Sequence, residues 1–187
     1  MGIAGWVVAG LLLVVIALLL WQRRRVGGAV PSPRVIDRAT CHKTPIEGQL
    51  RQLLADTVKD LRCAESTIWT ISPDGLHLEG AINHGPTVEV VEQISVPAHN
   101  SVIGLVAEQG LAKAIGRADW HNPSVDKATG TPTLAMVAAP IDVIGVRVGV
   151  MSAINPTTGG VFEGAALRIL IEKANQAGRI LEQAGNR

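Results

Sequence analysis

The sequence predicts an α+β fold held behind one N-terminal transmembrane helix. Three observations carry that expectation: an uncharged apolar run from Gly2 to Trp21, several short alternating runs punctuated by turn residues, and helical apolar periodicity at both ends of the remaining chain. A helix, then antiparallel strands with an inserted helix, then a closing helix build a layered α+β domain. Of the 187 residues, about 140 remain after the apolar run and the basic stretch behind it, enough for one domain with its own core.

The apolar run comes first. As a helix, its residues rise about 1.5 Å each and together span roughly 30 Å, the thickness of a hydrocarbon core. It has no positive segment before it and no small-residue cleavage site after it, so residues 1–21 are expected to be a retained anchor and not a removed signal. Arg23, Arg24 and Arg25 follow directly. They place the rest of the chain on the cytoplasmic side of an inner membrane, with the N-terminus outside, and Trp6 and Trp21 suit the two interfaces. With Arg34 and Arg38 they form a local basic excess that fits anionic lipid headgroups or serves only to set topology. Gly5 and Ala9 make a small-xxx-small pair at which another helix can approach closely. The run contains no His, Asp, Glu, Lys or Arg, which argues against pigment coordination, metal binding or proton relay within it. The net charge of +1 provides no global field for nucleic acid, so no nucleic-acid partner is expected.

Residues 22–43 read as a basic Gly/Pro linker, broken by Gly27-Gly28 and Pro31-Ser32-Pro33, with the folded domain over 44–187. Thr44-Pro45-Ile46-Glu47 reads as a capping box, with Thr44 as N-cap and Glu47 reaching back. Leu50, Leu53, Leu54, Leu61 and Ala64 then predict a first helix to about Ala64. Thr67–Ser72 and Leu76–Asn83 are alternating runs joined at Pro73-Asp74-Gly75, a hairpin signature. Val88–Val96 reads as a third strand stopped by Pro97. His99-Asn100-Ser101 offers caps for a short helix through Gln109 that closes on Gly110, and Leu111–Ile115 reads as a brief strand. Residues 116–130 are the longest irregular region. Thr133–Val143 and Val146–Ile154 pair antiparallel across a turn at Ile144-Gly145. The last helix runs from about Glu163 to Ala184, with Leu167, Leu170, Ile171, Ala174, Ala177, Leu181 and Ala184 on one face. Ile169 and Ile180 lie off that face and suggest a second contact surface, such as a homodimer contact.

Four stretches resemble GAF domains. Ser101-Val-Ile-Gly-Leu-Val-Ala-Glu-Gln-Gly110 resembles the family's helix with its glycine-bounded ending. Leu134-Ala-Met-Val-Ala-Ala-Pro140 is similar to its inner strand, and the stretch from Val143 to Asn155 to the next turn and strand. Phe162 sits where the family often has a phenylalanine before its last helix. The resemblance covers roughly residues 44–184. It implies a central antiparallel sheet of about six strands flanked by helices, and a sensory or regulatory role more than a catalytic one. Fold alone does not fix function.

The departures narrow that role. Asn155 is followed by Pro156, and Gly164-Ala165 stand where cyclic-nucleotide-binding members carry acids, so that motif is missing. The loop Asp119-Trp120-His121 has no cysteine for bilin attachment, and Cys41 lies in the expected linker. Sulfoxide-reducing members use several cysteines within the domain, and here only Cys63 is expected inside it. Cys41 and Cys63 are expected to be reduced thiols. His42 beside Cys41 has no second ligand pair to complete a metal site, and His84, His99 and His121 show no haem-ligand pattern. No cofactor and no metal are therefore expected.

Arg117, Asp119, His121 and Ser124 crowd one loop, which is not evidence of triad geometry, and no nucleophile elbow, zinc-binding helix or phosphate cradle is present. Arg117, Asp119, Trp120, His121 and Asn122 are the expected ligand-binding residues, on the loop that walls the pocket. Two readings follow: a membrane-anchored, non-catalytic sensory or regulatory module acting through a separate partner chain, or an accessory subunit bracing an integral membrane complex through its helix and cytoplasmic domain. An enzyme held at a membrane-bound substrate ranks last for want of chemistry.

Overall fold

The computed structural model describes residues 36–185. The expected anchor, with Gly5 and Ala9 and the interfacial Trp6, Trp21, Arg23, Arg24 and Arg25, lies outside the described residues. Among those described, no helix is long and apolar enough to cross a membrane.

The fold is α+β. In chain order it contains α1 (Arg38–Cys41), α2 (Ile46–Leu61), β1 (Cys63–Ile71), β2 (His77–His84), α3 (Val88–Val91), β3 (Ser95–Pro97), α4 (Val102–Gln109), β4 (Lys113–Ile115), α5 (Ser124–Thr129), β5 (Met136–Val143), β6 (Val146–Pro156) and α6 (Gly164–Gly185). The six strands form one sheet in the order β3-β2-β1-β6-β5-β4, antiparallel at every pairing. Helices cover both faces. On one, α1, α2 and α6 bury Leu50, Leu54, Leu170, Ala174, Ala177 and Leu181 against Ile68, Ile82, Val137, Ile141 and Met151. On the other, Val91, Ile103 and Val106 from α3 and α4 pack on Trp69, Leu78, Ala138 and Val150. Strand alternation supplies both cores: Ile68 and Trp69 are neighbours in sequence and enter opposite ones.

Local chemistry explains the junctions. Asp74 Oδ1 accepts from Ser72 Oγ at 2.6 Å and from the Leu76 N–H at 2.9 Å, which closes the β1–β2 turn at the expected tripeptide. Ser101 Oγ accepts from the Gly104 N–H at 3.0 Å as the N-cap of α4, and Gly110 closes that helix in the left-handed region. Ile144 and Gly145 both have positive φ, as the tight β5–β6 hairpin requires. Gly178 lets α6 lie directly on the sheet, because a Cβ there would collide with the Asp142 carbonyl oxygen on β5.

Several expectations are corrected. The linker does not extend to residue 43: Ile36, Thr40 and Cys41 are buried, and Asp37 caps α1 by accepting from the Thr40 N–H at 2.9 Å. Folded structure therefore precedes Thr44. The capping box does not form, since α2 begins after Pro45 without a side-chain cap, and the Glu47 carboxylate is held by Arg51 Nε at 2.9 Å. That helix ends at Leu61, because Arg62 turns left-handed and Cys63 enters β1. Val88–Val96 is not one strand. Thr87 O accepts from the Val90 and Val91 N–H groups to make a helical turn, and only Ser95–Pro97 pairs with β2. The irregular region 116–130 contains α5. On α6, Ile171 faces outward, while Ile169 and Ile180 are half-buried against the main core.

Leu54→Ala, at a fully buried position, is expected to cost about 2–5 kcal/mol, whereas Leu76→Ala at the exposed hairpin turn should stay within about 0.5 kcal/mol. Urea unfolding midpoints of the two variants check this contrast.

Candidate functional site

Strand register builds the floor of a cavity on the face covered by α3, α4 and α5. Glu65 pairs with Ile154, which pairs with Met136; one step along, Thr67 pairs with Ser152, which pairs with Ala138. These two rows run across β1, β6 and β5 on one face. The small side chain of Ser152, with Val125 and Thr129 of α5 above, borders a partly open space of about 50 Å³. A single water needs roughly 10–15 Å³ on this measure, so the space takes a molecule of a few heavy atoms.

Its polar groups are ordered by hydrogen bonds. Thr67 Oγ1 donates to Asn83 Oδ1 at 2.8 Å, and Asn83 Nδ2 donates to Glu65 Oε2 at 3.0 Å. Thr87 Oγ1 donates to the same oxygen at 2.6 Å. Trp69 Nε1 donates to Ser152 Oγ at 2.9 Å, which orients the indole along the floor. Glu65 is 3% exposed, and among the described residues its Oε1 has no hydrogen-bond donor and its carboxylate no cation within salt-bridge distance. Gly85 makes room for it, since a Cβ there would overlap the Glu65 stem.

At the loop side, His121 Nε2 stands 3.0 Å from Asp126 Oδ2. Thr133 donates to Asp126 twice, from its N–H at 2.9 Å and its hydroxyl at 2.7 Å. Burial pushes the Asp126 carboxyl up, but the bonds from Thr133 and His121 outweigh it and hold the group below its ordinary value. Asn122 Nδ2 donates to Asn100 O at 3.0 Å, and its Oδ1 accepts from the Ser124 N–H at 2.9 Å, tying the loop to the start of α5.

Of the five loop residues expected to form the site, His121 and Asn122 line the cavity. Arg117, Asp119 and Trp120 are exposed and do not; Asp119 Oδ2 accepts from the Gly116 N–H at 2.7 Å and so serves its own turn. Glu65, Thr67, Asn83, Thr87, Asp126 and Ser152 were not anticipated. A signal for Glu65 was present, because it shares its alternation with Thr67 and Trp69 in a strand that is otherwise buried.

The thiols are remote from this chemistry. Cys41 and Cys63 are buried in the core on the opposite face, and desolvation pushes their pKa values up to about 12 and about 11. Neither is a thiolate at neutral pH. Among the described residues no cluster of three His, Cys, Asp or Glu side chains is placed to hold a metal ion.

No protein-family model and no curated protein matches the sequence. Solved structures do match the fold, and they establish it as GAF-like. The GAF-B domain of DevS from Mycobacterium smegmatis superposes with a TM-score of 0.61 at 16% identity, over 80% of this chain and 96% of that one. Residues 122 to 287 of a methyl-accepting chemotaxis protein give 0.66 at 14% identity, over 79% and 95%. Free methionine-R-sulfoxide reductase from Neisseria meningitidis, solved with its substrate, gives 0.62 at 16% identity, over 79% and 84%. A chemotaxis protein and a reductase thus share this architecture, and residues, not fold, must decide between such roles.

Asp126→Asn is expected to destabilise the protein by about 1–3 kcal/mol at neutral pH by weakening the bonds from Thr133 and His121. The folded carboxyl titrates below the ordinary 3.8, so the wild-type advantage is complete above that value and fades as pH falls through the folded value. Denaturant unfolding of both proteins from about pH 6 down to about pH 2 reads this directly.

Proposed function

We propose that this chain is a membrane-anchored, non-catalytic sensory or regulatory module that takes a small molecule into the cavity beneath α3–α5 and acts through a separate partner chain. The cavity carries the reading. Protein interiors pack to crystal-like density, and here Glu65, Thr67, Thr87 and Ser152 border a cavity, with Asn83 bonded to Thr67 and Glu65 behind it. The inert, buried cysteines support a non-catalytic role. The apolar run Gly2–Trp21 and Arg23, Arg24 and Arg25 support single-pass anchoring in the inner membrane with the folded part in the cytoplasm.

A route for output supports the same reading. Thr87, which donates to Glu65, immediately precedes α3, and Glu92 at the end of that turn holds Arg51 of α2 through two bonds of 2.9 and 3.2 Å. A molecule that disturbs the Glu65 network therefore acts on α2, which packs against α6 on the opposite side of the sheet. That helix pair is the surface offered to a partner chain or a second copy.

The accessory-subunit reading has one observation in its favour. A space of about 50 Å³ is far below the roughly 300–1,000 Å³ of usual small-molecule sites, as a domain that no longer senses would show. Native mass spectrometry on the chain gently extracted from its own membrane separates the two. A discrete small adduct is expected, lost in Val125→Phe, which fills the cavity at about 1–3 kcal/mol. Recovery at fixed stoichiometry in a large membrane assembly with no adduct would establish the accessory role instead.

A further inference from the structure

The geometry points to a small primary ammonium compound as the cavity's ligand, held by the unpartnered Glu65 oxygen. This assignment rests on the sensory reading above and adds the chemical class. Glu65 is 3% exposed, in a strand at the centre of the sheet. A buried charge must be paired or neutralised by a proton. Donors from Asn83 and Thr87 converge on Oε2 alone. Oε1 has no donor among the described residues, yet it is not sealed off, and the residue lines the cavity.

The rest of the lining agrees in sign. Among the described residues the cavity wall contains no lysine and no arginine, and its charged members are Glu65 and Asp126. Asp126 is already occupied by Thr133 and His121, leaving Glu65 as the open acceptor. Trp69 and Ser152 border the same space, and an aromatic face is a favourable neighbour for a cation. An anion would meet the carboxyl groups of Glu65 and Asp126 here, and the basic side chain of the lining, His121, is already engaged by Asp126. The volume sets the size: a compound of a few heavy atoms fits, such as ammonium, methylammonium or ethylammonium, while a nucleotide or tetrapyrrole does not.

The test uses the full chain in detergent and carbon-13-labelled methylammonium, with acetamide and formate as neutral and anionic probes of similar size at constant ionic strength. Line broadening of the labelled methyl resonance and the thermal midpoint report binding. Saturable binding of methylammonium, displaced by ammonium and weakened at least tenfold in Glu65→Gln, is the expected result. Should Glu65→Gln fail to fold by circular dichroism, Val125→Phe decides: it should lose methylammonium binding, and unchanged binding there would overturn the proposal. Preference for acetamide or formate, or unchanged affinity in Glu65→Gln, would overturn the ammonium class while leaving a ligand-binding cavity in place. No binding of any probe, together with an adduct in native mass spectrometry, would sink the ammonium assignment alone. No binding and no adduct would remove the sensory reading as well.

Discussion

β1 and β6 sit at the centre of a sheet whose two faces are both covered by helices, and the side chains along the middle of both strands are buried on one face or the other. This constraint governs the rest of the molecule. A polar residue buried there is costly without a partner inside the protein, and among the described residues only the Thr70 hydroxyl lacks one. Ser66 finds the Ser152 carbonyl at 2.8 Å, Trp69 the Ser152 hydroxyl, and Thr67 the Asn83 amide oxygen. The polar cluster follows from sheet geometry, because the register of β1 with β2 and β6 sets which groups lie within reach.

Within that cluster the hydrogen bonds run in one direction, from Thr67 through Asn83 to Glu65, with Thr87 joining from the side. The bonds from Asn83 and Thr87 end on the Glu65 carboxyl group, and the bond from Thr67 to Asn83 joins two neutral groups. The network fixes the rotamer of Glu65 and links it to the chain that leads into α3. The opposite core is almost purely aliphatic, and it contains both thiols. The Glu65 network thus shares its face of the sheet with the second apolar cluster, while both thiols lie on the other face.

Much of the fold was legible because its signals are local. Pro73-Asp74-Gly75, Ser101 with Gly110, and Ile144-Gly145 each encode a turn or cap within a few residues, and the structure uses all of them. The leucines of α2 and the small apolar residues of α6 were legible through helical spacing. Val88–Val96 misled because valines favour strands, whereas here a turn stabilised by the Thr87 carbonyl carries Val91 into the core. The site was legible only at His121 and Asn122. Glu65, Asn83, Asp126 and Ser152 are scattered along the chain, and only strand register and the return of α5 over the sheet bring them together.

Glu92 has a consequence beyond its bond to Arg51. β3 pairs with β2 only over His77–Glu79, so the remainder of β2 has no neighbouring strand on that side. The chain satisfies it from within: the Gly80 N–H donates to Ile94 O at 3.0 Å, and the Asn83 N–H donates to Glu92 Oε1 at 2.8 Å. A bare strand edge is a template on which other molecules add strands and aggregate. Here a carboxylate, fixed in place by an arginine from the opposite layer, occupies the position a foreign strand would take. Protection against sheet-to-sheet association along this edge is therefore electrostatic as well as steric, and it depends on a helix that contributes nothing to the sheet itself.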